Sequence, residues 1–334
     1  MSQKYNDKGL SGLINMGNTC WLNSATQMLS NCIPLTHYFL SDNYEEDVNI
    51  RSVEYQFAIE WLKLLKGIWN ANCTIQPVSY HRVFSEFFGE GLYGQEDAEE
   101  GLSKIIDLLH ESLSYEVDIK FNGKPKNKTD LLMIDSIKSW NRSFKKSYSN
   151  IVELFYGQYM SIIKCISCGY ESTTFDPFSI IQLPIQSDFT CLDDCFKHFV
   201  KTEKLDEEQH WECEKCKDCK ESHKKILLWK SPPVLFIQLK RFDYHRGRKL
   251  NKSIDFPLDN FDITNFIEGY DKMDASYTLK GIIEHMGSMG GGHYVAHIKN
   301  SNNKWYTYND NKVNEINIST VLEKQAYILM YEKN

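Results

Sequence analysis

Gly12-Leu-Ile-Asn-Met-Gly-Asn-Thr-Cys-Trp-Leu-Asn-Ser24 is a Gly/Asn-rich loop that runs into an apolar helix. Leu22, Ala25, Leu29 and Cys32 recur near one helical face over residues 20–32, and Pro34 reads as the stop. Cys20 therefore falls in the first turn, with Asn18 or Thr19 placed to cap the helix. Unsatisfied N–H groups and the positive end of the helix dipole favour a thiolate there. The thiolate is the reactive form of cysteine. Asn15, on the entering loop, carries an amide able to donate to a developing oxyanion. A lone cysteine in such a place is more often packing than chemistry, so the rest of the chain has to decide.

Helical periodicity continues at 53–69, through Phe57, Trp61, Leu64, Leu65 and Ile68. It recurs at 96–114, through Ala98, Leu102, Ile105, Leu109 and Leu113. Residues 116–150 are polar and lysine-rich, with one apolar patch around Leu131–Ile134, and read as a variable excursion. From about residue 152 the texture changes. Tyr159–Lys164, Tyr170–Phe175, Lys224–Trp229, Val234–Lys240, Tyr277–Ile283, His293–Ile298, Lys304–Tyr308 and Ala326–Tyr331 read as short strands between turn residues. Helices followed by strands, with no Pro/Gly-rich linker between them, predict an α+β chain forming one domain with lobes.

The 334 residues suffice for a sizeable core. With 38 Lys and Arg against 45 Asp and Glu, the net charge is -7. No nucleic-acid partner is expected from that balance; a basic partner suits it better. The N-terminus has no charged-then-apolar leader, and no apolar run approaches the ~18 residues of a membrane span. The expectation is a soluble intracellular protein, cytoplasmic or nuclear, without a membrane partner.

Gly290-Gly-Gly-His-Tyr-Val-Ala-His-Ile298 and Lys304-Trp-Tyr-Thr-Tyr-Asn-Asp310 flank an Asn/Ser-rich turn and read as a β-hairpin. A turn centred near Ser301 and Asn302 sets His293 opposite Asn309 or Asp310. A histidine oriented by an amide or carboxylate is what a Cys–His couple requires. His285, His297 and His245 compete, and an unpaired histidine usually has a structural or surface role. The three glycines before His293 favour it, because they permit close backbone approach by a substrate.

Cys165-Ile-Ser-Cys168 and Cys213-Glu-Lys-Cys216 are two C-x-x-C knuckles between candidate strands. Two such pairs predict a tetrahedral zinc site with four thiolate ligands and no open position, hence a structural role. Cys219 is a spare that competes with Cys213 or Cys216 for ligation. Cys191 and Cys195 read as core on one face of a helix with Leu192, Phe196 and Phe199.

Taken together, these segments resemble the ubiquitin-specific protease family. Gly12 to Leu29 is similar to its cysteine box, and Gly292-His-Tyr294 through Asp310 to its histidine box. Gln95-Glu-Asp-Ala98 with Glu100, Glu153-Leu-Phe155 to Pro184, Pro232-Pro-Val-Leu235 through Phe242, Asp255-Phe-Pro-Leu258 and Ala326–Tyr331 resemble further family segments in order. The likeness runs from Gly9 to Lys333. It implies a papain-like fold, a single catalytic domain over 9–333 shaped as a hand. A helical thumb would span about 12–150, zinc-bearing fingers about 151–235 and a palm sheet about 236–333.

By position, the resemblance makes Cys20 the nucleophile, His293 the base and Asn309 the third member. It makes Asn15 an oxyanion donor and Asp310 a support, with Gln95 and Asp97 near the channel for the ubiquitin tail. The implied activity is a thiol hydrolase cleaving after the C-terminal glycine of ubiquitin, with ubiquitin and ubiquitinated proteins as partners of a monomer. A ubiquitin-binding scaffold and a protease for another ubiquitin-like modifier are the alternatives. Asn309 stands where many members have aspartate, and His297 where tyrosine is frequent. Glu99 and Gly101 replace a common His and Phe, which predicts weaker packing of that helix. With no large insertion, the chain reads as a bare catalytic unit.

Overall fold

A computed structural model describes residues 5–41, 44–89, 93–118, 120, 123–205, 211–217, 221–273 and 275–334. In chain order the helices are α1 Cys20–Ser30, α2 Ile33–Leu40, α3 Tyr44–Asp47, α4 Tyr55–Asn70, α5 Val78–Phe88, α6 Ala98–Ser112, α7 Lys128–Phe144, α8 Asn150–Phe155, α9 Leu192–Phe199 and α10 Ile318–Leu322. The strands begin with β1 Gly12–Leu13, β2 Thr74–Ile75, β3 Gly157–Cys165, β4 Glu171–Phe178, β5 Ile180–Pro184, β6 Glu203–Lys204, β7 Ser222–Lys230 and β8 Val234–Lys240. They continue with β9 Phe242–Asp243, β10 Arg248–Lys249, β11 Phe261–Asp262, β12 Ser276–Ser288, β13 Gly291–Lys299, β14 Trp305–Asn309, β15 Lys312–Ile316 and β16 Ala326–Lys333. The α+β expectation holds.

The larger sheet runs β15-β14-β13-β12-β16-β8-β5, with β11 beside β12. Its pairs are antiparallel except β5 with β8. Both faces are covered. Ile328 and Met330 join the core formed with α1, while Leu329 and Tyr331 join a second core with α9. This double burial explains why Ala326–Tyr331 reads as an unbroken apolar run rather than an alternating one. A smaller sheet, β4-β3-β7-β6, projects from it and carries both C-x-x-C turns.

All eleven residues of α1 are buried. A helix enclosed on every side must satisfy its polar side chains internally. Gln27 Nε2 donates to Ser11 O at 2.8 Å, and Thr26 Oγ1 bonds the Tyr80 hydroxyl at 3.1 Å. Gly101 has a packing reason that the sequence reading did not supply. The Trp21 indole lies on it, 2.7 Å from where a Cβ would stand, so the small residue lets α6 approach α1.

Three further elements differ from the sequence reading. Pro34 does not merely stop α1. It sits in the first turn of α2, where its missing N–H costs nothing. Residues 78–88 form α5, its Val83 and Phe84 buried. The lysine-rich excursion contains the 17-residue α7. Asn127 caps α7 through Asp130 N at 2.8 Å. Met133, Trp140 and Phe144 are spaced so that one side meets the smaller sheet and α8, and Ser139 Oγ donates to Phe175 O.

Candidate active site

β1 places the loop that leads to Cys20. Gly12 is pressed against the β14–β15 turn, where a Cβ would stand 2.3 Å from Asn311 O. Leu13 N donates to Asp310 O at 2.9 Å. The cysteine loop and the end of β14 are thereby locked together. Asn15 then turns the chain into α1: its Oδ1 accepts from Gly17 N at 3.0 Å and Thr19 N at 3.1 Å. Thr19 occupies the cap position, but its hydroxyl accepts from Met16 N instead of capping. Cys20, the first residue of α1, is 3% exposed.

The hairpin register differs from the predicted one. Ala296 pairs with Tyr308 and Lys299 with Trp305, and that register carried back sets His293 opposite Asn311. Asn309 reaches His293 diagonally on the same face, within the span of such neighbours. His293 Nε2 donates to Asn309 Oδ1 at 2.7 Å. An amide oxygen only accepts, so Nε2 carries a proton and Nδ1 is the nitrogen left to serve Cys20. His293 is raised to about 9, first by its hydrogen bond with Cys20, against burial, with Asn309 and the Asp310 charge adding.

Asp310, at φ +49°, ties these parts together. Its Oδ2 accepts from Asn15 Nδ2 at 3.0 Å and lies 4.0 Å from His293 Nε2. Its Oδ1 accepts from Asn23 Nδ2 at 2.8 Å. Asn23 was missed in the sequence. It lies one turn after Cys20 on a fully buried helix, and a buried amide demands a partner.

Gln95 bridges the two sides of the cleft. Its Nε2 donates to Asn18 Oδ1 at 3.0 Å, and its Oε1 accepts from Gly292 N at 3.3 Å. Asp97 caps α6 through Glu99 N and accepts the Tyr327 hydroxyl; burial raises its carboxyl above the ordinary range. A narrow cleft of about 130 Å³ runs between Gln95–Asp97 and Tyr244, Ser288–Gly291 and Tyr294. Gly292 has a packing reason the sequence reading did not supply: a Cβ there would stand 2.2 Å from His285 Nε2. His285 is buried and held down to about 4, chiefly by that burial. His297 bonds Thr307 and Glu284 away from the site. His245 lies exposed in the turn between β9 and β10.

At the tip of the smaller sheet, the Sγ atoms of Cys165, Cys168, Cys213 and Cys216 all lie within 4.8 Å of one another, close enough to hold a metal ion. Cys165 and Cys216 are 3.7 Å apart, and Cys168 and Cys213 3.6 Å. The two turns are built alike. Cys165 O accepts from Gly169 N and Cys213 O from Lys217 N, with Gly169 and Lys217 both at positive φ. Cys219 falls outside the described residues. Cys195 is core, as expected, and Cys191 caps α9.

The sequence profile of the ubiquitin carboxyl-terminal hydrolase family matches residues 11–331. The chain belongs to this family. Ubiquitin carboxyl-terminal hydrolase Usp2 of Drosophila melanogaster is 34% identical over 345 residues, 99% of this chain and 36% of that protein. Human ubiquitin carboxyl-terminal hydrolase 2 is 34% identical over 97% of this chain and 55% of its own length. The chain thus spans about a third to a half of these two hydrolases. Among solved structures, the Ubp8-containing SAGA DUB module bound to monoubiquitin aligns with a TM-score of 0.77 at 28% identity, over 99% of this chain and 70% of that one. The mixed helix-and-sheet fold is therefore that of a ubiquitin-specific protease. No helix among the described residues is long and apolar enough to cross a membrane.

Proposed function

We propose that the chain is a cysteine-type deubiquitinase that cleaves the isopeptide or peptide bond after the C-terminal glycine of ubiquitin. The observation that carries this reading is the His293 Nε2–Asn309 Oδ1 bond of 2.7 Å, in a histidine that Cys20 raises above its ordinary range and that follows closely on Gly291 in the wall of the cleft. A protonated His293 facing the sulfur is the charge partner of a thiolate nucleophile. Cys20 Sγ attacks the glycine carbonyl carbon. The oxyanion faces the Cys20 N–H and the second Nδ2 hydrogen of Asn15, the first being held by Asp310. As the C–N bond breaks, His293 passes its proton to the departing lysine amine. His293 then takes a proton from water, which attacks the thioester and frees the ubiquitin carboxylate. Asn309 holds the imidazole in the required tautomer throughout.

The cleft supports substrate roles for Gln95 and Asp97, and its narrowness suits a tail of glycines. We assign residues 9–333 to one catalytic domain, the helices forming a thumb, the larger sheet a palm and the smaller sheet fingers. The four cysteines fit zinc. A Zn–S distance of about 2.3 Å gives S···S edges of about 3.8 Å in a tetrahedron; two of the pairs are 3.6 and 3.7 Å apart, and all lie within 4.8 Å. Four thiolates leave no open position, so the metal would brace the fingers and take no part in the chemistry.

Ubiquitin carrying a C-terminal electrophile tests the reading. Covalent capture at Cys20 that outpaces a panel of other ubiquitin-like modifiers is the expected result. Capture of another modifier in preference, or of none, refutes the assignment.

A further inference from the structure

The β12–β13 hairpin carries Gly291, Gly292 and His293 to the cleft, yet its outer end lacks a strand on one side. β12 pairs with β13 as far as Ser288, opposite Gly291. Its pairing with β16 ends earlier, at Glu284 opposite Ala326. From His285 onward the outer edge of β12 has no strand beside it among the described residues. Carbonyls two residues apart in a strand point to the same edge. His285 and Gly287 therefore present two acceptors there; the His285 carbonyl is partly buried, where leaving it unmet is costly, and the Gly287 carbonyl is exposed.

Lys249, on β10, fills that edge. Its Nζ donates to His285 O at 2.5 Å and to Gly287 O at 3.4 Å. The ammonium is half-buried; burial, then repulsion from Arg241, pulls it below the ordinary lysine range against the pull of Glu284. Gly287 is at φ +132°, and a Cβ there would stand 2.6 Å from Gly291 O. No side chain at 287 can therefore hold this stretch, so the support comes from outside. Phe242, the ladder partner of Lys249, packs edge-on against His285 at 5.2 Å. On the other side of the hairpin, Gln95 holds Gly292 N.

We propose that Lys249 is a positioning residue. Its ammonium replaces the missing strand at the edge of β12 and so fixes the hairpin that presents Gly291 and Gly292 to the substrate tail. This rests on the hydrolase reading above, in which that hairpin forms one wall of the tail channel. Lysine suits the place because a single ammonium has three donors that can serve two carbonyls at once.

The test compares the full chain with its Lys249→Met and Lys249→Arg variants. Methionine keeps the apolar stem and removes the donors. Three readouts are taken: fluorophore release from the C-terminus of ubiquitin, hydrogen exchange of amides 285–292, and alkylation of Cys20 by iodoacetamide. Lys249→Met is expected to raise KM and lower kcat/KM about tenfold or more, since small misplacements at an active site cost up to ~100-fold. Exchange at 285–292 quickens, alkylation by the small reagent stays within about twofold because the nucleophile itself is untouched, and arginine restores most of the loss. Wild-type kcat/KM and wild-type exchange in Lys249→Met overturn the proposal. Faster exchange spread evenly over the whole larger sheet also overturns it, because Lys249 would then be a general stability residue. A wild-type chain that releases no fluorophore refutes the hydrolase reading instead, and exchange at 285–292 still decides the bracing.

Discussion

Replacing Asp310 by asparagine separates the support of the site from its chemistry. The residue sits at φ +49°, a conformation that asparagine tolerates and alanine does not, so Asp310→Asn adds little backbone strain. The carboxylate serves Asn15 Nδ2 with one oxygen and Asn23 Nδ2 with the other. An amide has one acceptor oxygen, so one of those two partners must then face an NH2 group. Asn23 is buried and Asn15 exposed, which sends the oxygen to Asn23 and the misfit to Asn15. Losing a hydrogen bond to a charged group costs about 1.5–3 kcal/mol at most, and water can repair part of it at exposed Asn15. Loss of a whole oxyanion donor costs about 100- to 1000-fold in rate. Asn15 remains present but unanchored, so kcat should fall by about 10- to 100-fold while the melting temperature moves by a few degrees.

The pH profile supplies an independent sign. The Asp310 charge is one of the causes that raise His293 to about 9. Its removal lowers that value, and the alkaline limb of kcat/KM, which follows proton loss from His293, moves to lower pH. The assay is fluorophore release from ubiquitin across pH 5 to 10, with thermal unfolding alongside. A variant within about threefold of wild type and with an unmoved alkaline limb would refute the reasoning. So would a rate loss matched by wholesale unfolding.

Two further outcomes are expected. Cys165→Ser, or a chelator strong enough to strip a four-thiolate site, should remove one zinc per chain by native mass spectrometry and lower thermal stability, activity falling only as the fingers loosen; a chain that carries no zinc, or keeps its full stability without it, contradicts the assignment. His81 is 1% exposed, its ring nitrogens have no hydrogen-bond partner among the described residues, and burial holds it down to about 4. The unfolded chain protonates this group from its ordinary value of about 6.5 downward while the folded chain resists until about 4, so stability falls with pH across that window by up to about 3 kcal/mol. His81→Leu should flatten that part of the acid-unfolding curve, and an unchanged slope would show that His81 does not report on the fold.

Much of the site was legible because its parts are local. The Asn15–Cys20 loop announces itself through glycines and asparagines before an apolar helix, and the hairpin brings His293 to Asn309 by counting alone. The count was slightly off, since a turn shifts register without changing composition; the pairing survived because Asn309 and His293 share a face. Asn23, Lys249 and the dual role of Asp310 were illegible, because each is defined by a partner distant in sequence or by the end of a neighbouring strand. α7 hid behind lysines and serines: it buries only a narrow stripe, so its periodicity is weak and its best signal is the Asn127 cap. The reason for Gly101 was illegible because the ring that takes the space, Trp21, is distant in sequence. The four-cysteine cluster was legible from spacing, and the repeated turn ending in Gly169 or Lys217 gives the reason that spacing works.

Fluorophore release from the C-terminus of ubiquitin, with wild type and Cys20→Ala side by side, tests the central claim most directly. The account predicts turnover by the wild type and none by a variant that is folded and still binds ubiquitin. Turnover surviving in Cys20→Ala would contradict it, because the chemistry would then lie outside the Cys20–His293–Asn309 chain.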